Sequence, residues 1–353
     1  MISNIRWFAV AFLAGALSVA ISAAQGKDGS TEAEDAATAH NSATIPDSDL
    51  THPLHPTARW LLDQPDARMR AAGLLHLSGP MHGGGEFEAD ALLDEFEQAI
   101  ENTTDGAALA WLASACRSAG ITGYCIDAGL DDAIVRHDDA NLWSRLTLVP
   151  DAEDGTRDRL IIEARSTRSY MSQLTSVWYE ALDKAPDLIP PQTPNEKLVS
   201  AFAVGTAYAM PSYSQLDRSC TGELETGSEL DVACTRHIDE LASRGPTTSE
   251  RSIGIALETE RAEARGDRSM AARLEQRKIY ESAVNQCRAI ELSGILESFG
   301  ESEARNFMQL LGEQGEIEAF ARLAAEYDID CSDPDDPMSD AMEAYAEQLE
   351  GDS

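Results

Sequence analysis

Six cysteines, Cys116, Cys125, Cys220, Cys234, Cys287 and Cys331, are the residues whose type and spacing speak first of chemistry in this 353-residue chain. Thiols can serve as nucleophiles, as zinc ligands or as halves of disulfides. Zinc sites gather their ligands through short spacings such as C-x-x-C or H-x-x-x-H, and neither occurs here. An even number of cysteines in an exported chain reads as a disulfide framework, although six admit many pairings. Sequential pairing is the expected one. Cys116 and Cys125 would face each other across a short helix–helix turn, Cys220 and Cys234 would staple a second turn, and Cys287 with Cys331 would tie the C-terminal helices over a longer loop. Each bridge is expected to contribute about 2–4 kcal/mol, mainly by restricting the unfolded chain.

The run Asp328-Ile329-Asp330-Cys331-Ser332-Asp333 alternates carboxylates in the manner of a calcium loop, because hard cations take several oxygens from one tight turn. Asp333 stands where such a loop needs glycine, Ser339 stands at its bidentate position, and Pro334 and Pro337 interrupt it. A solvated acidic loop holding Cys331 is expected instead. The seven histidines are scattered and form no acid–base cluster; His237 falls on the apolar stripe of its helix and is expected to be a hydrogen-bonded core residue. No metal or cofactor is expected.

Two short motifs resemble enzyme families. His82-Gly83-Gly84-Gly85 resembles the oxyanion-hole loop of esterases and lipases, whose glycine-freed N–H groups face developing negative charge. No G-x-S-x-G elbow accompanies it, so a turn between two helices is expected. Glu297-Ser298-Phe299, followed by Phe307-Met308-Gln309-Leu310-Leu311, resembles the Glu-Ser and Met-Gln motifs of lytic transglycosylases, exported enzymes that often carry α-superhelices. That resemblance implies Glu297 as general acid and base on the glycan of peptidoglycan, with a raised pKa in a cleft. The two motifs stand closer together than in that family, and GESEARN at 300–306 replaces the intervening Ser and Gly-Ala-x-Gly elements. Cell-wall cleavage by Glu297 is therefore the alternative reading, and a non-enzymatic role the first.

Composition narrows the partners. The formal charge is −35, from 62 acidic residues against 27 basic ones. Such a chain has no basic stripe to displace phosphate counterions, which argues against nucleic acid. Residues 301–353 alone hold 16 acids, with only Arg305 and Arg322 as bases. The N-terminus carries Arg6, an apolar stretch from Trp7 to Ile21 and the small-x-small site Ser22-Ala23-Ala24, so residues 1–24 read as a secretory signal peptide. The apolar stretch falls short of the ~20 residues a membrane span needs, and no stable insertion is expected after cleavage. Lysines are few beside arginines, a bias usual in bacteria with GC-rich genomes. The expected address is a bacterial periplasm or exterior.

The elements that must carry these residues read as helical. Residues 25–56 are polar and small and are expected to form a flexible tether. Beyond Pro56, apolar residues recur at steps of three and four: 89, 92, 93, 96 and 100; 170, 171, 174, 177, 178, 181 and 182; 230, 233, 234, 238 and 241; 317, 320, 321, 324 and 327. Those steps lay one stripe along a helix. Asp105, Asn195 and Gly245-Pro246 supply starts and stops. Leu160-Ile161-Ile162 is the one stretch that tempts a strand reading, and its charged neighbours favour helix. The expectation is an all-α protein of a dozen or more helices, each 10–20 residues long, stacked as hairpins in an irregular α-solenoid or bundle.

Four prolines lie within residues 185–195, three of them within five positions, and they forbid helix through that stretch. It divides an N-terminal helical half, 57–185, from a C-terminal half, 196–350, or is a long loop in one array. Trp111, Trp143 and Trp178 are spaced as helical-hairpin repeats would space them. In this the chain distantly resembles tetratricopeptide and Sel1-like α-solenoids, which implies a concave surface offered to other proteins. Thr147 stands where that consensus wants glycine, and no functional residue carries over. The expected function is a protein-binding or scaffold module, its partner another periplasmic or envelope protein.

Overall fold

A computed structural model describes residues 55–79, 92–149, 153–185, 192–208, 213–222 and 224–332. The expected signal peptide at 1–24, nearly all of residues 25–56, the His82-Gly83-Gly84-Gly85 motif, most of the Pro-rich stretch and the chain beyond 332 lie outside the described residues. Among those described, 79% are helical, in sixteen α-helices with no strand.

The helices are α1 His55–Leu62, α2 Ala67–Ser78, α3 Leu93–Asn102, α4 Gly106–Ser118, α5 Thr122–Asp127, α6 Leu130–His137, α7 Leu142–Leu148 and α8 Asp154–Glu163. There follow α9 Met171–Lys184, α10 Pro194–Tyr208, α11 Ser214–Cys220, α12 Glu229–Arg244, α13 Thr248–Ala264, α14 Arg268–Glu297, α15 Glu301–Gln314 and α16 Glu316–Glu326. Their starts follow the local chemistry. Asp66, Asp105, Ser228 and Asp267 each turn a side-chain oxygen onto an otherwise unpaired N–H of the first turn. Leu160-Ile161-Ile162 lies within α8, and α12 stops at Gly245. The 10–20-residue expectation fails at both ends: α5 has 6 residues and α14 has 30.

Consecutive helices pack as hairpins, α1 on α2, α9 on α10, α12 on α13, α13 on α14 and α15 on α16. One continuous apolar core joins residues from Ala58 in α1 to Ala324 in α16. Helix α9 is central to it, contacting α1, α2, α10 and α15, with Leu174 and Trp178 fully enclosed. Each such side chain contributes about 1.5–3 kcal/mol through removal from water. Trp111 belongs to the same core, whereas Trp143 belongs to a second, formed by α7, α8, α11, α12 and α13. A small third cluster seats α14 on α12 and α13 through Ala271 and Leu274. Helices α12 and α13 cross with their backbones nearly touching: a methyl group on Gly254 would come within 2.3 Å of the Ala242 nitrogen.

Three disulfides staple these layers. Cys116 in α4 bonds Cys125 in α5, with Cα atoms 6.4 Å apart, and Cys220 in α11 bonds Cys234 in α12 at 5.5 Å. Cys287, in the middle of α14, bonds Cys331 beyond the end of α16, at 6.0 Å. No described cysteine is free.

Candidate functional site

The residues of the transglycosylase-like motif do not assemble around one centre. Glu297 ends α14, partly buried, next to buried Leu296. Phe299 and Phe307 meet edge-on in the core with ring centres 6.2 Å apart. Met308 is buried, while Gln309 faces outward and donates to Glu313 on its own helix. Residues 300–306 form the start of α15, where the Gly300 nitrogen donates to Glu303. The acidic turn at 328–332 is held by backbone and disulfide: Asp328 has a left-handed φ of 54°, and the Ser332 nitrogen donates to Asp330 at 2.9 Å. Among the described residues no three His, Cys, Asp or Glu side chains are grouped to hold a metal ion, and no helix is long and apolar enough to cross a membrane.

Carboxylates with altered acidity lie elsewhere, on either side of the extended segment 164–170 between α8 and α9. On one side, Asp138 is 3% exposed and accepts hydrogen bonds from the Tyr170 hydroxyl and from Ser144. Burial pushes its pKa up to about 6, with Tyr170, Asn141 and Ser144 drawing it partly back. Gly106 is required for this approach, because a methyl there would stand 2.6 Å from Asp138 Oδ1 and 2.8 Å from the Tyr170 oxygen. The next two residues, Asp139 and Ala140, both take left-handed φ angles, 50° and 51°, a conformation that strains non-glycine residues. Backbone bonds lock that turn to the extended segment: the Leu142 nitrogen donates to Ser166 O, and Arg165 N to Asp139 O. Asn141 Nδ2 reaches Arg168 O, and Trp143 Nε1 reaches Thr167 O at 2.7 Å.

On the other side, Glu250 is 1% exposed. It is the third residue of α13 and closes a capping box, accepting from the Thr247 nitrogen and hydroxyl while Thr247 Oγ1 accepts from Glu250 N. Burial raises its pKa to about 7; Ser169, from the extended segment, and Thr247 draw it back, and the charge of Glu316 adds to the rise. The Tyr213 hydroxyl is buried with no hydrogen-bond partner among the described residues, and burial and the Glu250 charge suppress its ionisation. His237 lies in the same region, its Nε2 2.9 Å from Ile161 O, and burial lowers its pKa to about 4. Both carboxylates are sealed from solvent. They can titrate and they can hold an irregular segment in a helical core, but a polymeric substrate does not reach them.

The accessible feature is α14. Its two ends are anchored by Ala271, Leu274, Leu292 and Leu296, and between Glu275 and Glu291 no side chain is buried. Ile279, Tyr280 and Ile290 are 62%, 52% and 45% exposed. With Ala283 and Cys287 they form an apolar stripe along the open middle of the helix. Most exposed large apolar side chains of soluble proteins stand singly, whereas a contiguous stripe marks an interaction surface. Polar groups flank it: Arg277 pairs with Glu281 at 2.7 Å and reaches Ala242 O. The Cys287–Cys331 bridge and a bond from the Tyr280 hydroxyl to Ser332 O at 3.1 Å bring the following chain onto this same stripe.

Sequence reasoning singled out the cysteines and His237 and missed Asp138, Tyr170, Glu250 and the open helix face. Thr247-x-x-Glu250 carries the capping-box spacing and was open to detection. Asp138 and Tyr170 meet only through the fold. Comparison of the chain with protein-family models, with curated proteins and with solved structures finds no match.

Proposed function

We propose that this protein is an exported, disulfide-stapled helical scaffold that docks another periplasmic or envelope protein on the open middle of α14. The observation that carries the reading is the stretch from Glu275 to Glu291, a helix middle with no buried side chain and an apolar stripe facing outward. Amphipathic partners recognise such a face through side chains at steps of three and four. The address rests on the signal-like segment 1–24 and on three disulfides, which persist in oxidising compartments. The hairpin stacking agrees with a role resembling that of tetratricopeptide-like arrays, in which rigid helices offer a surface rather than a reaction centre.

The test is site-specific photocrosslinking in cells exporting the full chain, with p-benzoylphenylalanine in place of Ile290 or, as a control, of exposed Val135 on α6. A discrete heterologous adduct from position 290 and none from position 135 is expected. Equal adducts from both positions, or none from position 290, would remove the docking role.

A further inference from the structure

We propose that the chain's own acidic C-terminal segment, residues 337–350, lies as an amphipathic helix on the open face of α14 and competes there with an incoming partner. The proposal rests on the docking reading above and adds a regulator to that surface. Four observations support this occupant over any other.

The first is tethering. Cys331 is bonded to Cys287 in the middle of the stripe, and Ser332 O already accepts from Tyr280 two turns nearer the start of α14. The chain therefore leaves the described structure on this face, heading towards the N-terminal half of the helix. A tethered segment meets its site at an effective concentration in the millimolar range, which a free partner must exceed.

The second is pattern. Met338, Ala341, Met342, Tyr345 and Leu349 repeat at helical steps, with Asp340, Glu343, Glu347 and Glu350 on another stripe. Asp336-Pro337 supplies a cap residue followed by proline at the first helical position.

The third is charge. Residues 333–353 contain 8 acids and no base. In a chain of net −35, α14 holds more bases than any other described helix, Arg268, Arg273, Arg277, Lys278 and Arg288, against Glu275, Glu281, Glu291 and Glu297. Arg273 is exposed and reaches Ser269 and Met270 of its own helix rather than a carboxylate.

The fourth is length. Met338 lies six positions beyond Ser332, a reach of up to ~20 Å. A fourteen-residue helix is about 21 Å long. The N-terminal half of α14 and its centre accommodate it.

The experiment uses the full-length oxidised protein, purified and dilute, with p-benzoylphenylalanine replacing Ile279 and, in a second variant, exposed Gln276. After irradiation, reduction and trypsin digestion, peptide 279–288 (or, for the second variant, 274–277) is sought joined to peptide 323–353. The expected result is an adduct at monomer mass with the linkage inside 338–349. In the same full chain, Met342→Asp with Tyr345→Asp should lower its yield at least fivefold without changing the helical circular dichroism. A dimer-mass adduct, which would make the face a contact between two copies, a linkage confined to 323–332, or no adduct from either position would each overturn the proposal. Partner capture in cells is a separate readout. Capture without the tail adduct sinks this inference and spares the docking role, and a tail adduct without capture does the reverse.

Discussion

Tyr170 donates its hydroxyl hydrogen to Asp138, 32 positions earlier in the chain, and the two side chains close over Gly106 at the start of α4. Three segments distant in sequence thus meet at one buried carboxylate, and the strained pair Asp139–Ala140 is held where that carboxylate needs it. Removing the hydroxyl leaves Asp138 buried with one donor fewer. Tyr170→Phe is expected to destabilise the protein by about 1.5–3 kcal/mol. The hydroxyl favours the ionised form of Asp138, so the loss should be larger at pH 8 than at pH 5. Equal losses at the two pH values, measured by urea unfolding, would show that the bond does not act through the carboxylate charge.

Glu250 makes the stability of the whole protein depend on pH. Its folded pKa of about 7 stands above the ordinary glutamate value. Between the unfolded and folded values the folded state holds the extra proton, so stability falls as pH rises through that window. Asp138, at about 6, acts in the same direction. His237 acts oppositely: its folded value of about 4 lies below the ordinary imidazole value, and its contribution is lost as pH falls from about 6.5 towards 4. Two acids oppose one base, so wild-type stability should decline from pH 5 to pH 7.5. Glu250→Gln should flatten that decline by about 1–3 kcal/mol across the window. Parallel curves for variant and wild type would exclude Glu250 as the source.

The three bridges close loops of very different length. Cys116–Cys125 spans 9 positions and Cys287–Cys331 spans 44. Loop-closure entropy makes the longer bridge worth about 1.4 kcal/mol more. Replacing both cysteines of each pair by serine and comparing unfolding midpoints tests this, and peptide mapping without reduction tests the pairing itself. A larger loss from the 116–125 pair would show that native packing, rather than the unfolded chain, sets the stabilisation.

Gly254 is where α12 and α13 touch. Its hypothetical methyl meets backbone atoms of Leu241 and Ala242, which cannot swing aside as a side-chain tip can. Gly254→Ala is expected to cost about 1–3 kcal/mol or more despite alanine's better helix propensity. A neutral or stabilising result in thermal unfolding would mean that the two helices separate freely.

What the sequence determined by itself is local. Apolar steps of three and four specified helices, since burying one stripe is the cheapest way to satisfy both side chains and backbone, and they did so correctly for α9, α12 and α16. Asp105 marked where α4 begins, because an unpaired N–H needs an acceptor within a few residues, and Gly245-Pro246 marked where α12 ends. The two shorter bridges join cysteines on neighbouring helices, as hairpin spacing implied.

Tertiary structure alone decided what depends on long-range packing. It placed Glu297 at a helix end and set Phe299 and Phe307 edge-on in the core, because burying large aromatic rings removes apolar surface from water. It made Asp138 and Glu250 unusual acids, since a pKa follows the solvent and neighbours around a group and not its flanking residues. And it left one face of a 30-residue helix open, which no periodicity could foretell, because exposure depends on where every other helix has gone.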